Sequence, residues 1–322
     1  FNKAFEITIL VTADELAELA PRQRKNGHLF RARYETAGAE FFAELVQAWS
    51  GVEFLRFGPL VQDNRFERIF FWPDPRGIVL RQVQGLLAGQ AAADARELAG
   101  RSVAVQGLPA LEYVLYGDDG LLARPGGEGF ASACAYAVAV TRNVARVGGE
   151  LARAWAPGGD YARHFERPAA DDPLYRTTQE VAAEAVKALS TGLQFGRDVK
   201  LLPVMGKGPD SSQPKRAPFW RSGLTLPAMQ AWADGLLGFY RAGGYDFGED
   251  AWIAANVAGE LARLRDVFGA LSGPVESVLS DGDGYRRLQL AVLLQKNAKD
   301  LVDQHMAPAL GVTIGFNALD GD

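Results

Sequence analysis

The chain has 322 residues, 48% of them apolar, and a formal net charge of -5 with acids and bases interleaved along its length. That is enough chain and enough apolar side chain for one large or two ordinary folded domains, which excludes a disordered class. No basic block offers itself to a phosphate backbone, so nucleic acid is excluded as a partner. No apolar run is long enough to span a bilayer.

The single cysteine, Cys134, cannot close an internal disulfide and sits in an Ala-rich apolar stretch, where it reads as a small buried hydrophobe. Phe1 stands where an initiator Met would, so the expectation is a removed upstream segment such as a cleaved signal.

Helical periodicity recurs along the chain and strand-like alternation is scarce. In chain order, helices are expected near 28–50, 76–99 and 109–116, and then over 126–156, where Phe130, Cys134, Ala137, Val140, Val144, Leu151 and Trp155 share a face. Val181, Ala185, Ala188, Gly192, Phe195, Val199 and Leu202 follow a four-three spacing that predicts a bundle seam through 181–202. Helices near 224–242 and 249–271 follow, and Leu288, Ala291, Gln295, Ala298 and Val302 carry a last seam through 285–305. Long helices with short connections predict an antiparallel all-α architecture.

Breaks are expected at 156–173, 203–218 and 272–284. The first divides the chain into near-equal halves and has the Pro, Gly and Asp content of a linker, giving an N-terminal helical bundle over 1–160 and a C-terminal one over 161–322. The halves echo each other. "FFWPDPRGIVLRQVQGLLAG" (70–89) aligns with "PFWRSGLTLPAMQAWADGLLGF" (218–239) through Phe-Trp, a glycine turn, an apolar helix start and Gly-Leu-Leu. The echo raises the expectation of an internal duplication.

Chemistry-bearing motifs are mostly lacking. The sequence has no HExxH, no CxxC, no Gly-x-Ser-x-Gly and no phosphate loop, and His28, His164 and His305 are scattered. "SDGDGYRR" and "NALDGD" read as turns without the alternating oxygens and closing Glu of a calcium loop. His305 continues the apolar face of the last long helix and reads as a packed histidine.

Aromatic and arginine residues gather beside turns at 51–60, 65–74 and 216–223. Trp72, Trp220, Arg221 and Ser222 are candidate walls of a ligand cleft, with stacking and anion contacts as their chemistry and the plugging of bundle ends as the alternative. "GLPALEYVLYG" (107–117) places Glu112 among Leu108, Leu111, Val114 and Leu115, beside Tyr113. Near a helix start the backbone dipole favours a carboxylate. Glu53 and Arg56, three apart and read as helical, share a face suited to an ion pair.

"GVEFLRFGPL", "GLPALEYVLYG", the "FWRSG" turn and the closing "LGVTIGFNALDGD" together resemble the imelysin-like proteins, and the similarity covers nearly the whole chain. That family comprises bacterial periplasmic or outer-membrane lipoproteins associated with iron uptake and once classed as metallopeptidases. The resemblance implies an all-α fold of two four-helix bundles with a site where they meet. The family's Gly-x-His-x-x-Glu pattern falls on Gly107, Pro109 and Glu112, so the nitrogen ligand is replaced by proline. Pro109 suits the first helical turn, where its missing N–H would be unpaired anyway.

The expected function is therefore that of a periplasmic binding or accessory protein in iron uptake, without catalytic residues and anchored only through a lipid on a removed N-terminal segment. Its cleft would hold Glu53, Arg56, Trp72, Gly107, Pro109, Glu112, Tyr113, Trp220, Arg221 and Ser222. Its partners would be iron or an iron chelate and a cell-envelope transport component; any iron or other divalent metal would meet Glu112 first. The alternatives are a metallopeptidase with a rearranged metal site, in which Glu112 activates a metal-bound water, and a polysaccharide- or protein-binding lipoprotein.

Overall fold

The computed structural model describes residues 27–89, 95–118, 120–121 and 129–313, excepting the side chains of 27–38 and 95. Every regular element among them is helical: α1 Gly27–Ser50, α2 Arg65–Ile69, α3 Ile78–Ala88, α4 Ala95–Ala99, α5 Leu108–Tyr116, α6 Phe130–Trp155 and α7 Asp160–Glu166. After these come α8 Thr178–Phe195, α9 Leu202–Met205, α10 Thr225–Ala242, α11 Trp252–Gly269, α12 Val275–Ser280, α13 Gly282–Leu301 and α14 Ala307–Ala309.

The chain forms two compact units that interleave in sequence. Among the described residues, one comprises 27–48 together with those of Gly58–Gly159; the other comprises Trp49–Phe57 and 160–313. In the first, Phe42, Leu45 and Val46 of α1, Leu108, Leu111 and Leu115 of α5, and Val140, Val144, Val147 and Leu151 of α6 are buried. The Phe42 and Tyr116 rings meet at 5.5 Å.

Local chemistry sets several helix starts. Both carboxylate oxygens of Asp74 accept from the first N–H groups of α3, Ile78 and Val79, each at 2.8 Å. Thr177 caps α8 by accepting from Glu180 N, and Asp281 caps α13 by accepting from Gly284 N. The "SDGDGYRR" turn is thus a helix cap. The expected helix over 76–99 is instead α3, closing at Gly89, and the separate α4. Two stretches expected to be breaks contain the short helices α7 and α12. The two echoing segments each lead into a helix, of 11 residues in α3 and 18 in α10.

The second unit has a feature that periodicity does not reveal. Between α8 and α9 lies a π turn, Gly196–Leu201, which widens the helix and adds a residue to its phase. The expected seam holds through Ala185, Ala188, Gly192 and Phe195, all buried, and then slips. Within the turn the buried positions are Gly196, Lys200 and Leu201, and past it Val204 and Met205, while Leu202, expected to be inside, is exposed.

A second π turn, Val302–Met306, follows α13. Leu288, Ala291, Gln295, Ala298 and Val302 are buried as the spacing predicts, but Met306 takes the next inward place and His305 is exposed. It lies edge-on to the Trp252 ring at 5.0 Å. Cys134, expected to be buried, is half-buried on α6.

Candidate functional site

The candidate residues divide between the two units. Trp72, Gly107, Pro109, Glu112 and Tyr113 belong to the first; Glu53, Arg56, Trp220, Arg221 and Ser222 belong to the second.

In the first unit the start of α5 is fixed by backbone contact. A Cβ on Gly107 would lie 2.2 Å from the carbonyl oxygen of Ile69, so only glycine allows this approach. Gln106, immediately before it, is buried and saturated with hydrogen bonds. Its amide donates to Arg101 O at 2.6 Å and accepts from Arg68 Nε at 3.1 Å, while its backbone carbonyl accepts from Asn143 Nδ2 at 3.2 Å. Burial, and then the nearby Arg146, lower the pKa of the Arg68 guanidinium.

Gly107 caps α5, Pro109 occupies its first turn, and Glu112 is buried at 4% exposure. Tyr116, one turn on, has its hydroxyl pKa pushed up to about 12 by burial and by the Glu112 charge. Tyr113 accepts from Gln84 Nε2 at 3.0 Å. Trp72 stacks on Phe70 at 5.8 Å.

In the second unit Glu53 and Arg56 are not on a helix. α1 ends at Ser50, and the following residues turn through Glu53 N to Trp49 O at 3.0 Å and Arg56 N to Phe54 O at 2.8 Å. The expected Glu53–Arg56 pair is therefore replaced. Glu53 Oε1 accepts from Lys200 Nζ, with side-chain exposures of 1% and 0%, and the Arg56 guanidinium lies 4.0 Å over the Phe195 ring.

Burial pushes the Lys200 ammonium below its ordinary pKa, against the opposing pull of Glu53, and the Arg56 charge lowers it further. The Trp49–Phe57 segment fits closely at α10, since a Cβ on Gly235 would lie 2.0 Å from Gly51 O. Phe54 meets Phe239 edge-on at 5.6 Å.

Trp220 carries cations on its ring, with Arg221 Cζ at 4.4 Å and Lys215 Nζ at 5.5 Å. Ser222 Oγ donates to Phe219 O at 3.1 Å within the same turn. These contacts place the "FWRSG" segment in a compact cation–π turn.

Lys200 is the residue that sequence reasoning missed. It lies 147 positions from its partner, and the helical period places Val199 and Leu202 on the inner face instead. A lysine where a π turn shifts the phase leaves no mark in the spacing.

Among the described residues, no group of three or more His, Cys, Asp or Glu side chains could hold an ion. His164 Nδ1 is engaged with Asp172 Oδ2 at 2.5 Å, and His305 packs on Trp252. The His28 side chain and the "NALDGD" turn lie outside the described residues. No helix among the described residues is long and apolar enough to cross a membrane.

The family model for imelysin, a peptidase M75 family, matches residues 31–305. The chain belongs to the imelysin family. Its all-α fold matches that of an imelysin-like protein from Psychrobacter arcticum 273-4, with a TM-score of 0.77 at 19% identity, over 98% of this chain and 93% of that one. An iron-regulated protein A precursor from Parabacteroides distasonis ATCC 8503 matches with a TM-score of 0.67 at 13% identity, over 94% of this chain and 89% of that one. No curated protein sequence matches. The helix start of this imelysin carries Gly107, Pro109 and Glu112, and Pro109 has no side-chain donor.

Proposed function

We propose that this imelysin is a non-catalytic binding or accessory protein in iron acquisition at the bacterial cell envelope. Family membership and likeness to an iron-regulated protein precursor support the iron link. The observation that carries the non-catalytic reading is Pro109, which leaves Glu112 as a buried carboxylate without a nitrogen ligand beside it in sequence. Proline supplies no side-chain ligand, and without that nitrogen the helix start does not arrange a metal-bound water for peptide hydrolysis. Iron, as the ion or as a ferric chelate, is then cargo.

In this reading the protein works in the periplasm, is tethered by a lipid on an upstream segment, and meets a transport component of the envelope. Glu112, on the helix that Gly107 and Pro109 begin, supplies its polar group. The cations already seated on Trp220 argue against a sugar stacking on that ring, which disfavours the polysaccharide alternative.

Isothermal titration with ferrous ion, zinc ion and ferric citrate tests the proposal alongside a casein-hydrolysis assay. Heat with an iron species that weakens in Glu112→Gln, without hydrolysis, is the expected result. No heat with any of the three, or metal-dependent hydrolysis, would overturn it.

A further inference from the structure

Three stretches of the second unit converge on the π turn Gly196–Leu201. A Cβ on Gly196 would lie 2.4 Å from Trp232 Cη2 and 2.7 Å from Gln295 Oε1, so the indole of α10 and the amide of α13 both rest against the same point of backbone. Both residues are completely buried. Gln295 spends its Nε2 on Ala291 O at 3.1 Å, which turns its oxygen toward Gly196.

Neither Trp232 Nε1 nor Gln295 Oε1 has a hydrogen-bond partner among the described residues. Within the same π turn Lys200 holds Glu53 by Oε1, and Glu53 Oε2, equally buried, has none either. Folded cores rarely leave such groups unpaired, because a buried donor or acceptor forfeits its full solvation.

We propose that this turn is an internal hydration site. One water accepts from the Trp232 indole N–H and donates to Gln295 Oε1, and water also donates to Glu53 Oε2. The chemistry selects the occupant. A metal ion is opposed by the Lys200 ammonium and by the indole N–H, which offers hydrogen where an ion needs a lone pair. An anion is opposed by the Glu53 carboxylate and the Gln295 carbonyl. Only a small molecule that both donates and accepts meets all these groups, and water needs two to four such partners to remain in a protein interior. Hydration also accounts for a Lys–Glu pair at full burial, since water on the second carboxylate oxygen supplies what the single ammonium contact leaves out.

Oxygen-17 magnetic relaxation dispersion on the full chain counts water molecules held longer than tumbling, and Gln295→Leu and Trp232→Phe each remove one wall of the site. The expected result is at least one long-lived water fewer in each variant than in the unaltered protein. An unchanged count in both would overturn the proposal. If either variant fails to fold, a crystal structure of the unaltered chain decides: density within hydrogen-bond reach of Trp232 Nε1 and Gln295 Oε1 supports the site, and a dry, direct indole–amide bond refutes it.

Discussion

The two units hold irregular chain in place by opposite means. In the first, the approach to α5 is tied by neutral amides. Gln106 and Asn143 are buried and bonded on both sides, and the charges that extend the network, Arg65, Arg146 and Glu150, remain at the part-exposed rim. In the second, the Trp49–Phe57 segment is tied by formal charges at the centre, Glu53 on Lys200, with a carboxylate oxygen left over. A damaged network of neutral amides loses hydrogen bonds without stranding a buried charge. A buried pair of charges, losing one member, strands the other in a medium that solvates it poorly.

Breaking each tie should expose that difference. Lys200→Met, which leaves Glu53 buried and unpaired, is expected to cost about 3–5 kcal/mol in urea unfolding, whereas Glu53→Leu combined with Lys200→Met should recover most of that loss. A double variant as unstable as the single one would show that the pair itself, and not its imbalance, supports the fold. Asn143→Ala, the matching lesion in the first unit, orphans the Gln106 carbonyl and should cost about 1–3 kcal/mol by the same assay. A loss equal to that of Lys200→Met would erase the contrast.

The smallest effect belongs to a half-buried tie, in which Asp172 accepts from His164 and from Leu174 N and Tyr175 N at 2.8 and 2.9 Å. The His164 bond, and then the Tyr175 N–H, hold the Asp172 carboxyl at about 2, below the ordinary 3.8. A carboxyl whose pKa is depressed on folding adds stability above its unfolded pKa and loses it as pH falls from about 4 through about 2. Melting temperature followed from pH 5 down to pH 2 should therefore drop more in the unaltered protein than in Asp172→Asn. Parallel curves would remove Asp172 from the list of acid-sensitive ties.

Most of the helices were legible in the sequence because their apolar spacing is local. Val140, Val144 and Leu151 on α6, and Leu288, Ala291 and Ala298 on α13, lie inward as that spacing requires. The start of α5 was legible too, since Pro109 suits a first helical turn, whereas the need for Gly107 comes from its approach to Ile69 O and was not. Lys200 was not, because a π turn moved it to the inner face, and Glu53 was not, because its turn depends on the fit of Gly51 against Gly235 far along the chain. The interleaving of the units escaped for the same reason: nothing within 49–57 tells of helices that begin after residue 177.

That interleaving sets an order of events during synthesis. When Trp49–Phe57 leaves the ribosome, neither the lysine that neutralises Glu53 nor the glycine that admits Gly51 has been made. At typical elongation rates the segment waits on the order of 10–40 s for residues up to 235. Through that interval Phe54, Leu55 and Phe57, all buried in the finished molecule, have no docking place and must be shielded by other means. In the nascent chain, this nine-residue piece is where a chaperone has most to do.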